Sequence, residues 1–145
     1  MPLVDISDKQ TTQRTACAQG ELRFSPKAFQ IFLKQGSPKG NVLQTAQIAG
    51  IMAAKHTPGL VPLCHPLLLE KVSVTFELLK SKNTVKVFSE VLCSGKTGVE
   101  MEALSAVCAA CLTIYDMMKF SGHDMTISGI RLVYKSGGRS GIYHR

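Results

Sequence analysis

Asp116 and Lys119 stand three residues apart in the stretch LTIYDMMK, a spacing that puts both side chains on one helix face within reach of each other. A carboxylate and an ammonium so placed serve either as a structural ion pair at a helix end or as an acid–base pair. Two further carboxylates, Glu100 and Glu102, open the same segment, GKTGVEMEALSAVCAACLTIYDMMK from Gly95 to Lys119. At 100° per residue Glu102 returns to nearly the face of Asp116, but about 21 Å away along the axis, too far for one small-molecule pocket. Either Glu102 has a separate partner, or helices of two subunits run antiparallel and bring Glu102 of one near Asp116 of the other. The small residues between Ala103 and Cys111 suit close helix packing and favour the second arrangement. Cys64 and His65 form the other unusual pair. Pro62 and Pro66 flank them and pre-set the backbone, so the imidazole has a fixed direction, whether for binding, for proton transfer or for a core hydrogen bond.

Other patterns carry less. Cys64, His65, Cys108 and Cys111 make a poor metal set, because zinc ligand pairs sit on tight turns and Cys108 and Cys111 fall mid-helix. The cysteines read better as small buried hydrophobes, and no metal is expected. Gly95, Lys96 and Thr97 resemble the end of a nucleotide-hydrolase phosphate loop, but that loop needs a glycine five residues earlier, where this chain has Glu90. The tail KSGGRSG, 135 to 141, combines glycine freedom with two cations and is either a lid over a phosphate or a disordered terminus.

The 145 residues, 45% of them hydrophobic, are enough for one domain with its own core and no second one. A net charge of +7 calls for an anionic partner. The cations are scattered singly and the chain has no Trp and only three Tyr, which points to a pocket for a phosphorylated small molecule and away from a nucleic-acid groove. Its first residues lack the apolar run of a secretory signal, no segment is expected to span a membrane, and an odd five cysteines fit free thiols in a reducing cytoplasm.

The elements that must position these groups follow from the pattern. Residues 1–12 read as an arm, with Val4 and Ile6 able to dock as an edge strand, and 13–24 as a first strand. Ser25 caps a short helix that starts at Pro26 and stops before Gly36, and a second helix runs from Asn41 towards His56. Three prolines between Pro58 and Leu69 forbid regular structure there. Strict alternation from Lys71 to Leu79, a turn at Lys82–Asn83 and a run from Thr84 to Leu92 make a hairpin. The central helix follows, capped by a Thr97–Glu100 box, starting at Gly98 and apolar enough to be buried all round. A last strand spans Met125 to Lys135, and 136–145 is a flexible glycine-rich tail. The fold class is therefore α+β: a ferredoxin-like βαββαβ unit, an antiparallel sheet covered by helices.

Three stretches, PLCHPLLL at 62–69, SGKTGVEMEALSAV at 94–107 with LTIYDMMK at 112–119, and KSGGRSG at 135–141, resemble the cyclic pyranopterin monophosphate synthase (MoaC) family of molybdenum cofactor biosynthesis. The likeness extends to VDIS at 4–7, Arg14, PKGNVLQTAQIAGIMAAK at 38–55 and the final strand, almost the whole chain. It implies a lyase that converts (8S)-3′,8-cyclo-7,8-dihydroguanosine 5′-triphosphate to cyclic pyranopterin monophosphate with release of pyrophosphate, without metal or redox cofactor. It implies Asp116 as the catalytic residue, with Lys119 as its partner in proton transfer. Substrate binding would fall to Leu63, Cys64, His65, Met101 and Glu102, with the cations Arg14, Lys39, Lys55 and Lys135. The family assembles as a homohexamer, a trimer of dimers, with pockets shared between subunits. The chain departs from the pattern where Arg139 stands for an expected Lys and where Ser37-Pro38 replaces a histidine-rich turn. On the residues alone, a small-molecule-binding regulatory module on the same fold remains the competing reading, separable by whether pyrophosphate is released.

Overall fold

The computed structural model describes residues 2–145. Strand β1 (Thr12–Arg23) is followed by helices α1 (Pro26–Lys34) and α2 (Val42–Lys55), a helical turn α3 (Thr57–Leu60), the hairpin β2 (Lys71–Leu79) and β3 (Thr84–Gly95), helix α4 (Glu100–Met118) and strands β4 (Thr126–Ser136) and β5 (Tyr143–His144). The five strands form one antiparallel sheet in the order β2-β3-β1-β4-β5, so that β3 lies between β1 and β2 and splits their crossover. This is an α+β arrangement that adds a second helix, a helical turn and the edge strand β5 to a bare βαββαβ unit.

Sheet register decides which residues meet the helices. Pairing Ala16 with Val91, Ala18 with Ser89, Gly20 with Val87 and Leu22 with Val85 lines the two central strands with small and β-branched residues on the face that α4 covers. The Ser89 hydroxyl donates to Ala103 O at 2.8 Å, a buried polar tie between β3 and α4. Helix α2 then packs on α4 at its smallest residues. A Cβ on Gly50 would come within 2.9 Å of Ala106 O, and one on Gly20 within 2.7 Å of Val107 Cγ1. The small middle of α4 is thus occupied by α2 and β1 of the same chain, and it no longer argues for a helix of a second subunit at that place.

Helix ends follow local rules in two cases and break them in a third. Ser25 Oγ accepts from Ala28 N, Pro26 opens α1, and Gly36 turns left-handed at φ 68° beyond its end. Asn41 Oδ1 accepts from Gln44 N at the start of α2. The expected Thr97–Glu100 box does not form: α4 begins at Glu100, behind Val99, with no side-chain cap. The Glu100 carboxylate instead lies over Gly98 and pairs with Lys135 of β4 at 3.1 Å. Nor is α4 buried all round. Glu102 is 1% exposed, whereas Met101 and Leu112, at 39% and 61%, remain open on the outer side.

Two further expectations are corrected. Pro58 tolerates one helical turn, α3, because proline at a first helical position lacks only a donor that would be unpaired anyway. The stretch Glu100–Ser121 is long and apolar enough to cross a membrane, contrary to the sequence reading, but half of it is buried as the core helix beneath the sheet. The arm carries no strand at Val4 or Ile6 among the described residues; Lys96 Nζ holds it by donating to Ser7 O at 2.6 Å. The tail turns back so that Tyr143 and His144 pair with Lys135 and Tyr134.

Candidate active site

At the C-terminal end of α4, Lys119 Nζ lies 2.7 Å from Asp116 Oδ1, and Lys39 Nζ, from the turn between α1 and α2, lies 2.5 Å from Asp116 Oδ2. Each carboxylate oxygen therefore has its own ammonium. All three groups are about half exposed and line a cavity of about 310 Å³ with Pro38, Met117, Phe120 and His123. The hydrogen bonds from Lys119 and then Lys39 pull the Asp116 pKa down from 3.8 to about 2, so it is ionised at any physiological pH. The i, i+3 pair was legible in the sequence. Lys39 was expected only among the substrate-binding cations, and its pairing with Asp116 was not legible, since the two lie 77 residues apart.

The opposite end of α4 carries a different set. Glu102 is buried with Oε1 3.7 Å from the Cys64 thiol, while Oε2 has no hydrogen-bond partner among the described residues. Burial raises the pKa of Glu102, and burial with the nearby Glu102 charge raises that of Cys64. The proline-flanked loop thus meets α4 through these two groups. His65 is half-buried beside them in sequence, and Leu63 and Met101 are exposed. A larger cavity of about 670 Å³ opens at the start of α4, lined by Arg14, Lys96, Glu100, Lys135 and Arg139 among others. Arg14 Nε donates to Gly95 O at 3.3 Å, and Lys135 Nζ bonds both Glu100 and Ser140 Oγ. Gly138 is obligatory there: its φ is 74°, and a Cβ would fall 1.7 Å from Arg14 Nη1. A cationic cavity at a helix N-terminus favours an anion by charge and by the helix dipole together.

Lys55 stands apart from both sets, in a shallow cavity of about 450 Å³ with Leu67 to Val72. The predicted residues therefore fall in three places within one chain: Asp116, Lys119 and Lys39 at one end of α4; Arg14, Lys135, Cys64 and Glu102 at the other; and Lys55 between the helix layer and β2. Arg139, one of the two tail cations read as part of a possible phosphate lid, lines the cationic cavity, and Lys96 joins it without having been assigned to it; the sequence signal for Lys96 is its position just after β3. Cys108 and Cys111 take no part. Burial pushes the Cys111 thiol up to about 12, which leaves it inert. Among the described residues no three His, Cys, Asp or Glu side chains are grouped to hold a metal ion.

Fold and site define a class: a cationic α+β protein whose central helix carries a carboxylate between two lysines at one end and a cationic cavity at the other. Comparison with known proteins gives the family. A model described as the MoaC family matches residues 3–138, and the chain belongs to that family. Proteins named cyclic pyranopterin monophosphate synthase are similar over nearly the whole length. Those of Roseiflexus sp. (strain RS-1) and Methylobacterium nodulans are 55% and 52% identical over 141 residues, covering 97% of this chain and 89% and 88% of theirs. The one from Helicobacter pylori (strain J99) is 49% identical over 144 residues, 98% of this chain and 90% of its own.

Proposed function

We propose that this chain is a lyase of molybdenum cofactor biosynthesis that converts (8S)-3′,8-cyclo-7,8-dihydroguanosine 5′-triphosphate to cyclic pyranopterin monophosphate and pyrophosphate. The observation that carries the mechanism is the Lys119–Asp116–Lys39 constellation. Asp116, held ionised between two ammonium groups, is a fixed negative charge that orients Lys119; Lys119 carries the mobile proton during opening of the purine ring and closure of the pterin. The reaction is redox-neutral and needs only protons moved and phosphate charge neutralised, so neither a metal nor a redox cofactor is expected.

Arg14 and Lys135 in the cationic cavity, with Lys55 and Lys39, would neutralise the triphosphate, and fixed cations facing developing phosphate charge are an effective form of stabilisation. Leu63, Cys64, His65, Met101 and Glu102 would hold the ring system. Because these groups lie at the far end of α4 from Asp116, one pocket drawing on both ends needs two chains. We take the working form to be the homohexamer, a trimer of dimers, acting in the cytoplasm with each pocket at a subunit interface. Incubation of the purified chain with the cyclised nucleotide tests the reading directly: pyrophosphate and the cyclic monophosphate should appear together. Tight nucleotide binding without pyrophosphate would leave a regulatory binding module in its place.

A further inference from the structure

Lys39 reaches Asp116 from an exposed turn, and an exposed lysine on a flexible stem does not hold a carboxylate by charge alone. Something must place its backbone. Ser37 sits two residues before it, half-buried, and its hydroxyl makes two hydrogen bonds: Oγ donates to Met117 O at 2.7 Å and accepts from Lys39 N at 3.2 Å. Met117 O belongs to the last turn of α4, where carbonyls lack an intrahelical partner. One hydroxyl therefore satisfies an orphan carbonyl next to Asp116 and fixes the amide of the residue that pairs with Asp116. The turn is closed on itself by Gly40 N donating to Ser37 O at 3.1 Å, and Pro38 between them has its φ locked by its ring.

We infer that Ser37 is a positioning residue of the acid–base constellation: its hydroxyl docks the turn between α1 and α2 onto the end of α4 and thereby sets Lys39 against Asp116. The inference rests on the reading of Asp116 as catalytic only for its effect on turnover. The docking itself is a statement about Lys39 and can be read without activity.

The test compares the full-length chain with Ser37→Ala, Ser37→Thr, Lys39→Met and the Ser37→Ala/Lys39→Met double variant. Acetic anhydride labelling of surface amines, read by peptide mass spectrometry, reports how firmly each lysine is engaged. In Ser37→Ala, Lys39 should label about fivefold faster, the factor that corresponds to one lost neutral hydrogen bond. Lys119 should be unchanged, because its partner lies on its own helix, and Ser37→Thr should return Lys39 to the parental rate. Turnover should fall in Ser37→Ala, and the double variant should be no slower than Lys39→Met alone, because Ser37 acts through Lys39. Parental labelling of Lys39 in Ser37→Ala, or fully additive losses in the double variant, overturns the inference. Faster labelling with unchanged turnover keeps the docking role and removes the Lys39–Asp116 pair from the mechanism.

Discussion

A carboxyl group whose pKa is near 2 is a poor proton source at neutral pH, so the roles of Asp116 and Lys119 are not interchangeable. Lys119→Ala should abolish pyrophosphate release in a chain that still melts normally, since the lysine is half exposed and packs little; near-parental release from the folded variant would exclude it from the mechanism. Asp116→Asn should lower turnover with little loss of binding, because a negative charge beside a polyanion is not there to attract it. Lys55→Met and Lys135→Met should do the reverse and weaken binding about 10- to 150-fold each, the range for charge-assisted contacts. Calorimetric titration with the cyclised nucleotide separates the two behaviours. Glu102 makes a prediction about stability. Burial holds its pKa above the ordinary 4.5, so the folded state binds that proton more tightly than the unfolded chain does. Its contribution is fullest below about pH 4.5 and is lost as pH rises through the folded pKa, above which a buried charge remains whose Oε2 has no partner among the described residues. Glu102→Gln should therefore melt higher than the parent once pH exceeds that folded pKa, by about 3 to 5 °C per kcal/mol gained, and equal to it at pH 4. A variant that melts lower across the whole pH series would show that Oε2 has a partner in solution.

Elements set by local chemistry were readable from the chain, and those set by distant partners were not. Ser25 before Pro26 and Asn41 before Val42 cap their helices by accepting from amides three residues on, so α1 and α2 fell where the pattern put them. Thr97 and Glu100 carry an equally good local signal. It fails because Lys135, 35 residues on, takes the Glu100 carboxylate across the start of α4 and competes with the cap. Strand β3 likewise outruns its expected end at Leu92, reaching Gly95 because β1 offers partners as far as Thr12. The same distinction holds at the site: the spacing of Asp116 and Lys119 is local and was legible, whereas Lys39 and Ser37 arrive by tertiary docking. Packing of α2 on α4 gives this scale its own test. Gly50→Val should destabilise the chain by about 1 to 3 kcal/mol, because its Cβ must displace the backbone oxygen of Ala106 and no rotamer relieves that. Gly59→Ala, with nothing within 4 Å of the added carbon, should leave the denaturation midpoint unchanged or slightly raised. Equal midpoints for the two variants in a urea titration would mean that α2 and α4 do not approach as described.

At the scale of the whole molecule, one helix joins two clusters of candidate site residues. Along α4, Glu102 beside the cationic cavity lies about 21 Å from Asp116 at the rise of an α-helix, and no bend of a single helix closes that gap. Two copies related by a two-fold axis, with their helices antiparallel, would bring the ends together twice, and Met101 and Leu112 give the outer side of α4 apolar surface for such a contact. The arrangement can be tested without resolving an interface. Glu102→Ala and Asp116→Ala chains, each inactive alone, are mixed in equal amounts and allowed to exchange subunits. If each pocket takes Glu102 from one chain and Asp116 from the other, a mixed dimer contains one pocket with both groups intact and one with neither. With half of the dimers mixed at random, activity should recover to about a quarter of the parental value, as two-fold symmetry requires. If instead each chain built its own pocket, every pocket in the mixture would lack one group and no activity would return. Exchange must be confirmed separately, by mass spectrometry of one isotopically labelled variant, so that an inactive mixture of unexchanged dimers is not taken for the second outcome.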